Sequence, residues 1–157
     1  MENNNAAKFA ANSKALKELS RTLPIELGAI GVREFVGNFT KQGYSGAPWK
    51  EVQRRTPGTK AYKYPKTKGL QRRTTPILIG AGYRKRGGTL RRAVNGSTKE
   101  TSLSRVVWSV DLPYAKAQND GTDKIPARPF MGFSKELIQK LDDKVNQRIK
   151  QALSATT

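Results

Sequence analysis

Apolar residues near the N-terminus recur at helical spacing: Phe9, Leu16, Leu19 and Leu23 share one face before Pro24 interrupts. Proline lacks the amide proton a helix interior needs, so the pattern predicts a first helix ending at Thr22 or Leu23. Pro24 fits the first turn of a second helix. That helix is expected to run to about Lys41. Its positions Ile25, Ala29, Val32, Val36 and Phe39 fall at i, i+4, i+7, i+11 and i+14, and Leu27, Ile30 and Phe35 widen the stripe. Gly28, Gly31 and Gly37 lower its propensity and leave room for another backbone to pack close. Gly43 is a natural stop.

Strand material is expected further on. "PILIGAG" (Pro76 to Gly82) is short and apolar, and "LRRAVNGST" (Leu90 to Thr98) leads into an Asn95-Gly96 turn signal. "SRVVWSVDL" (Ser104 to Leu112) alternates most clearly, with Val106, Trp108 and Val110 on one face. A short strand is expected from Tyr114 to Ala117, followed by turns through "NDGTD" and "IPARPF". Ser134 is a good N-cap for a final helix, with Glu136 in the first turn. Leu137, Ile138, Leu141, Val145, Ile149 and Leu153 form its apolar stripe. The order predicts an α+β domain, with N-terminal helices and a C-terminal helix packed on a small antiparallel sheet. One domain is expected over residues 1–157, with flexible ends at 1–5 and 154–157.

Charge changes this picture. Thirty Lys and Arg stand against twelve Asp and Glu in 157 residues, a formal net charge of +18. From Lys50 to Arg92 there are fourteen basic residues and one acid, Glu51, so this segment carries +13 of the +18. It contains Pro57, Gly58, Pro65, Gly69 and Pro76, and neither helical nor strand periodicity runs through it. Residues 54–76 therefore read as an extended basic arm. A second basic burst follows at "YRKRGGTLRR" (Tyr83 to Arg92). Such density of one sign predicts a polyanionic or acidic partner. Tyr62 and Tyr64 flank Lys63, an arrangement suited to stacking on bases or to anchoring the arm on a neighbour.

The residue inventory narrows the chemistry. There are no cysteines and no histidines, which removes disulfides, thiolate ligands, the commonest general base and the commonest metal ligand. "GAGYRKRGG" matches neither dinucleotide nor phosphate-loop patterns. Asp142 and Asp143 are adjacent on a helix and diverge; Asp120 and Asp123 flank a glycine turn. No enzyme activity, cofactor or metal is expected. No apolar run approaches the roughly 20 residues that span a bilayer, so no membrane partner is expected. Trp49 after Pro48 reads as a cap on the core, with a binding-site tryptophan as the alternative. Arg128, between Ala127 and Pro129, reads as a corner lock bonding turn carbonyls or a carboxylate such as Asp120, with a subunit contact as the alternative.

The landmarks, in their order, resemble the tailed-phage virion-morphogenesis proteins, also called tail-completion or neck proteins. Phe35 and Phe39 match the family's helix, Gly46 with Trp49 its turn, and Leu78 to Gly82 with Leu90 its next segment. "YAKAQNDG" (Tyr114 to Gly121) and "IPARPFMGFS" (Ile125 to Ser134) match its two most specific motifs. The likeness covers Phe35 to Leu153. Gln118 stands where the family usually has histidine, and the basic arm is longer than usual. The resemblance implies a structural virion protein at the head–tail junction, assembled in the host cytoplasm. It implies a ring, hexameric by expectation, that completes the tail and supports head–tail joining. Implied partners are other copies of itself, neighbouring neck, connector or tail-tube proteins, and packaged DNA. Trp49, Tyr114, Gln118, Arg128 and Phe130 would form the structural corner or subunit contact. Arg54, Arg55, Lys63, Arg72, Arg73, Arg84, Lys85 and Arg86 would meet DNA phosphates or acidic partners. The competing expectation is a sequence-nonspecific basic nucleic-acid-binding protein. A nuclease is disfavoured by the missing histidines and the lack of a carboxylate cluster for Mg²⁺.

Overall fold

A computed structural model describes residues 2–64, 75–79 and 88–154, with side chains from residue 8 onward. Helix α1 (Glu2–Lys41) is followed by a tight hairpin of β1 (Gly43–Tyr44) and β2 (Ala47–Pro48). Then come a single helical turn, α2 (Lys60–Lys63), and helix α3 (Thr89–Asn95). Strands β3 (Thr98–Ser102) and β4 (Arg105–Trp108) form a second hairpin, and helices α4 (Ala115–Asp120) and α5 (Lys135–Ser154) close the order. The class is α+β, as expected. Among the described residues the strands form two separate two-stranded antiparallel sheets rather than one.

The chain divides into two compact units. The first takes α1 as far as Arg33, the β3–β4 hairpin and the chain from Phe133 onward. The second takes Glu34–Ser97 and Val110–Gly132.

In the first unit, Pro24 lies inside one continuous helix instead of between two. Tertiary contacts override the local penalty. The Arg148 guanidinium of α5 donates to Thr22 Oγ1 at 2.9 Å and pairs with Glu26 at 3.4 Å, bracketing Pro24 on both sides. Leu23 is buried beside it. In the hairpin, Thr98 pairs with Trp108 and Ser102 with Arg105, with a bulge between Thr98 and Glu100. Trp108 Nε1 donates to the Gly28 carbonyl at 3.0 Å, and its ring meets Phe133 edge-on at 6.2 Å. Ser134 caps α5 as the sequence predicts, its Oγ accepting from Leu137 N–H at 3.1 Å.

The second unit holds most of the buried apolar side chains: Phe35, Phe39, Trp49, Ile77, Leu90, Val94, Ala115 and Phe130. Ser45 and Gly46, with φ of 50° and 77°, make the tight turn that a two-residue hairpin requires. Three strand expectations fail here. Leu90 to Asn95 is helical, because Leu90 and Val94 bury together at helical spacing. Pro76 to Ile79 is a turn: Ile77 N–H and C=O are both engaged by the Gln42 side-chain amide, which leaves neither for a ladder, and Leu78 sits at φ 61°. The rest of that segment lies outside the described residues. Ala115 to Asp120 is helical and ends at Gly121, whose φ is 82°.

Candidate functional site

The corner lies in the second unit and is built from the core outward. Phe39, on the last turns of α1, stacks its ring edge-on against Trp49 at 5.7 Å and tilted against Phe130 at 5.5 Å. All three are buried, which fixes the apolar floor of the corner. Polar groups then hold the main chain above it. Trp49 Nε1 donates to the Pro129 carbonyl at 2.7 Å, and Asn38 Nδ2 donates to the Phe130 carbonyl at 3.2 Å. Asn119 Oδ1 accepts from both Phe130 N–H at 2.9 Å and Met131 N–H at 3.0 Å.

Arg128 is buried, and its Nε donates to the Lys50 carbonyl at 3.1 Å. Burial pushes its pKa down while the charge of Glu51 opposes the shift. The guanidinium remains charged. Its partner is the Lys50 carbonyl, in the segment after the β1–β2 hairpin, and not a carbonyl of the corner's own turn. Asp120, the carboxylate named as an alternative partner, pairs instead with Lys116 at 2.7 Å, which together with Asn119 holds its carboxyl below the usual range. Gln118 joins the corner through its main chain: its carbonyl accepts from Arg128 N–H at 2.9 Å. Tyr114 starts α4, its carbonyl accepting from Gln118 N–H at 3.1 Å.

The basic segment is rooted rather than simply exposed. Arg54 Nη2 and Arg55 Nη2 donate to the same carbonyl, Thr75, at 2.9 and 2.8 Å. Two guanidiniums thus tie the start of the arm to its end. Glu51 supports them, meeting Arg55 Nη1 at 3.4 Å. The Glu51 carboxyl is held below its ordinary value chiefly by the hydrogen bond from Val52 N–H, with Arg55 and Arg54 adding to it and partial burial opposing. Lys63 is exposed at the end of α2, a turn capped by Thr59, whose Oγ1 accepts from Tyr62 N–H at 3.2 Å. Arg72, Arg73, Arg84, Lys85 and Arg86 lie outside the described residues.

The structure thus brings together Trp49, Gln118, Arg128 and Phe130, and it adds Asn38 and Asn119, which the sequence reading missed. Asn38 was legible as a polar residue beside Phe39 on an otherwise apolar helix face. Asn119 sat in a stretch read as a turn. Among the described residues no cluster of three or more acidic side chains could hold a metal, and no helix is long and apolar enough to cross a membrane. Compared with protein-family models, curated proteins and solved structures, the chain matches none.

Proposed function

We propose that the chain is a structural virion protein of the neck or head-proximal tail end of a tailed phage, acting as a ring-forming subunit that completes the tail and supports head–tail joining. The locked corner carries this reading. Side chains of Asn38, Trp49, Asn119 and Arg128 all bind main-chain atoms of the corner or its neighbours. Its polar chemistry goes into holding a fixed backbone shape over a buried aromatic floor. Fixed shape is what repeated subunit contacts in a closed ring need. The corner is also where the two most specific family motifs fall. The basic segment, tied at its root by Arg54 and Arg55, would meet DNA phosphates or acidic faces of adjoining rings.

A second reading, a sequence-nonspecific nucleic-acid binder, is favoured by one observation: the +13 concentrated between Lys50 and Arg92. Negative-stain imaging of the purified chain, over a range of concentration and salt, with gel shifts on short duplexes, separates the two. Rings of constant diameter, and density at the head–tail junction when lysed phage particles are added, are the expected result. A chain that stays monomeric at every concentration yet shifts short DNA tightly overturns the ring in favour of the second reading.

A further inference from the structure

Arg128 brings more hydrogen-bonding capacity to the corner than the chain uses. The residue is only 6% exposed. It is held at both ends: its main-chain N–H donates to the Gln118 carbonyl at 2.9 Å, and its Nε donates to the Lys50 carbonyl at 3.1 Å. Among the described residues, neither of its Nη amino groups has a hydrogen-bond partner or an ion pair. A guanidinium stays charged, and burying its donors without partners is costly. The Nη groups are not sealed in, however. The described side-chain atoms that are both fully enclosed and unpartnered are Arg55 Nε, Ser97 Oγ and Arg148 Nε. The Nη edge of Arg128 therefore reaches solvent, while the rest of the side chain lies beneath the surface.

The charge around this edge is one-sided. Arg54 and Arg55 donate to the Thr75 carbonyl and Arg128 to the Lys50 carbonyl, and bonds to carbonyls cancel no charge. Among the described residues Glu51 is the one carboxylate whose charge acts on Arg128, and the same carboxylate serves Arg54 and Arg55. Three guanidiniums thus share one carboxylate. Glu51 is already engaged, by Val52 N–H at 2.7 Å and by Arg55 at 3.4 Å, and it makes no ion pair with Arg128.

These features select the shape of an occupant. With Nε taken, the Nη pair is the open fork, and its parallel donors match the oxygens of a carboxylate met end-on. The main-chain anchors hold that fork in place before anything binds, so little ordering is lost on binding. Recession selects against nucleic acid. A duplex phosphate is flanked by sugars on a wide, stiff cylinder, which suits an exposed cation such as Lys63 and not an edge set inside the fold. A carboxylate on the short stem of an aspartate or glutamate is slim enough to enter.

We propose that the Nη edge of Arg128 is a binding site for the carboxylate of an acidic side chain presented by a protein partner, with the charges of Arg54 and Arg55 adding to the attraction. The site goes beyond the ring reading and does not depend on it. Another copy of this chain or a different protein can supply the carboxylate.

The test follows the Arg128 Nε–Hε resonance in the full isotope-labelled chain, assigned through the bonds of its own side chain and by its absence in R128K. Acetyl-Gly-Glu-Gly-amide is titrated in, with acetyl-Gly-Gln-Gly-amide as the uncharged control and a short DNA duplex as the rival ligand. The glutamate peptide should shift the resonance saturably and the glutamine peptide should not. E51Q should bind the glutamate peptide about threefold more tightly, the scale of one part-exposed charge interaction removed, a gain that a merely structural arginine would not show. A shift on concentrating the wild-type chain without peptide, reversed by dilution, assigns the carboxylate to another copy; a peptide shift without that concentration dependence assigns it to a different protein. A resonance unmoved by the glutamate peptide, or moved equally by both peptides, overturns the site and leaves Arg128 as a lock on the corner. A response in E51Q with none in the wild type shows that Glu51 closes the fork itself, and overturns the proposal for the native chain. A shift with the duplex alone overturns it in favour of nucleic acid. Ring formation is read separately by imaging and stands or falls on its own.

Discussion

The same substitution at two glycines of α1 should move stability in opposite directions. A Cβ added at Gly31 would lie 2.5 Å from Trp108 Cζ2 and 2.6 Å from Cε2. That is about 1 Å inside ordinary contact, so the indole must shift. Trp108 cannot shift freely, because its Nε1 holds the Gly28 carbonyl and its ring holds Phe133. Overpacking costs about 1–3 kcal/mol. Loss of the indole hydrogen bond adds about 1 kcal/mol. Alanine returns about 1 kcal/mol of helix propensity. Gly31→Ala is therefore expected to destabilise by about 2 kcal/mol, which lowers the melting temperature by about 6 °C for a chain of this size. Nothing lies within 4 Å of a Cβ at Gly37, so Gly37→Ala keeps only the propensity gain. It should raise the melting temperature by about 2–3 °C. Thermal and urea unfolding followed by circular dichroism measure both. In a Gly31→Ala background, Trp108→Phe should recover part of the loss, because phenylalanine lacks the atoms that collide. A Gly31→Ala chain that melts at or above the wild-type temperature, or whose loss simply adds to that of Trp108→Phe, would refute the collision with the indole.

Asn119→Ala should destabilise by about 2–3 kcal/mol in urea unfolding, since one oxygen serves two corner amides that would both lose their acceptor; a change below about 0.5 kcal/mol would show that water replaces it. Trp49→Phe keeps an aromatic floor but strands the Pro129 carbonyl, for an expected loss of about 1–2 kcal/mol, readable as a lower urea midpoint at unchanged slope. Glu51 supplies a pH test. Its folded carboxyl lies below the ordinary 4.5, so its contribution is complete above that value and is lost as pH falls through the folded one. The urea midpoints of wild type and Glu51→Gln should accordingly differ at pH 6 and converge towards pH 3, and a gap of constant size across that range would remove Glu51 from the account.

Helical periodicity located both long helices, yet it mistook the behaviour of Pro24. The missing amide proton is a local fact, and it predicted a break. Arg148, more than a hundred residues away in sequence, bridges Thr22 and Glu26 and holds the helix through it. Leu90 to Val94 shows the converse weakness. Its apolar residues are too few to separate period 3.6 from period 2, and burial of Leu90 with Val94 settled the helix. Gly28, Gly31 and Gly37 read as sites where another backbone comes close, yet Gly28 and Gly31 receive the side chains of Thr98 and Trp108 and Gly37 meets open space, because nothing in the sequence says what faces a glycine.

By itself the sequence determined the α+β class, the N-cap at Ser134, the aromatic and arginine content of the corner, and the concentration of positive charge between Lys50 and Arg92. These depend on neighbours along the chain or on simple counting. Only the tertiary structure decided what the corner's side chains hold. Trp49 meets the Pro129 carbonyl across eighty residues, Asn38 meets Phe130 across ninety-two, and Arg128 meets Lys50 rather than the nearby Asp120. It also decided that Arg54 and Arg55, which look like free cations in the sequence, converge on the Thr75 carbonyl. A hydrogen bond needs its partner within about 3 Å, and which distant groups come that close follows from how the apolar faces pack, not from any local pattern.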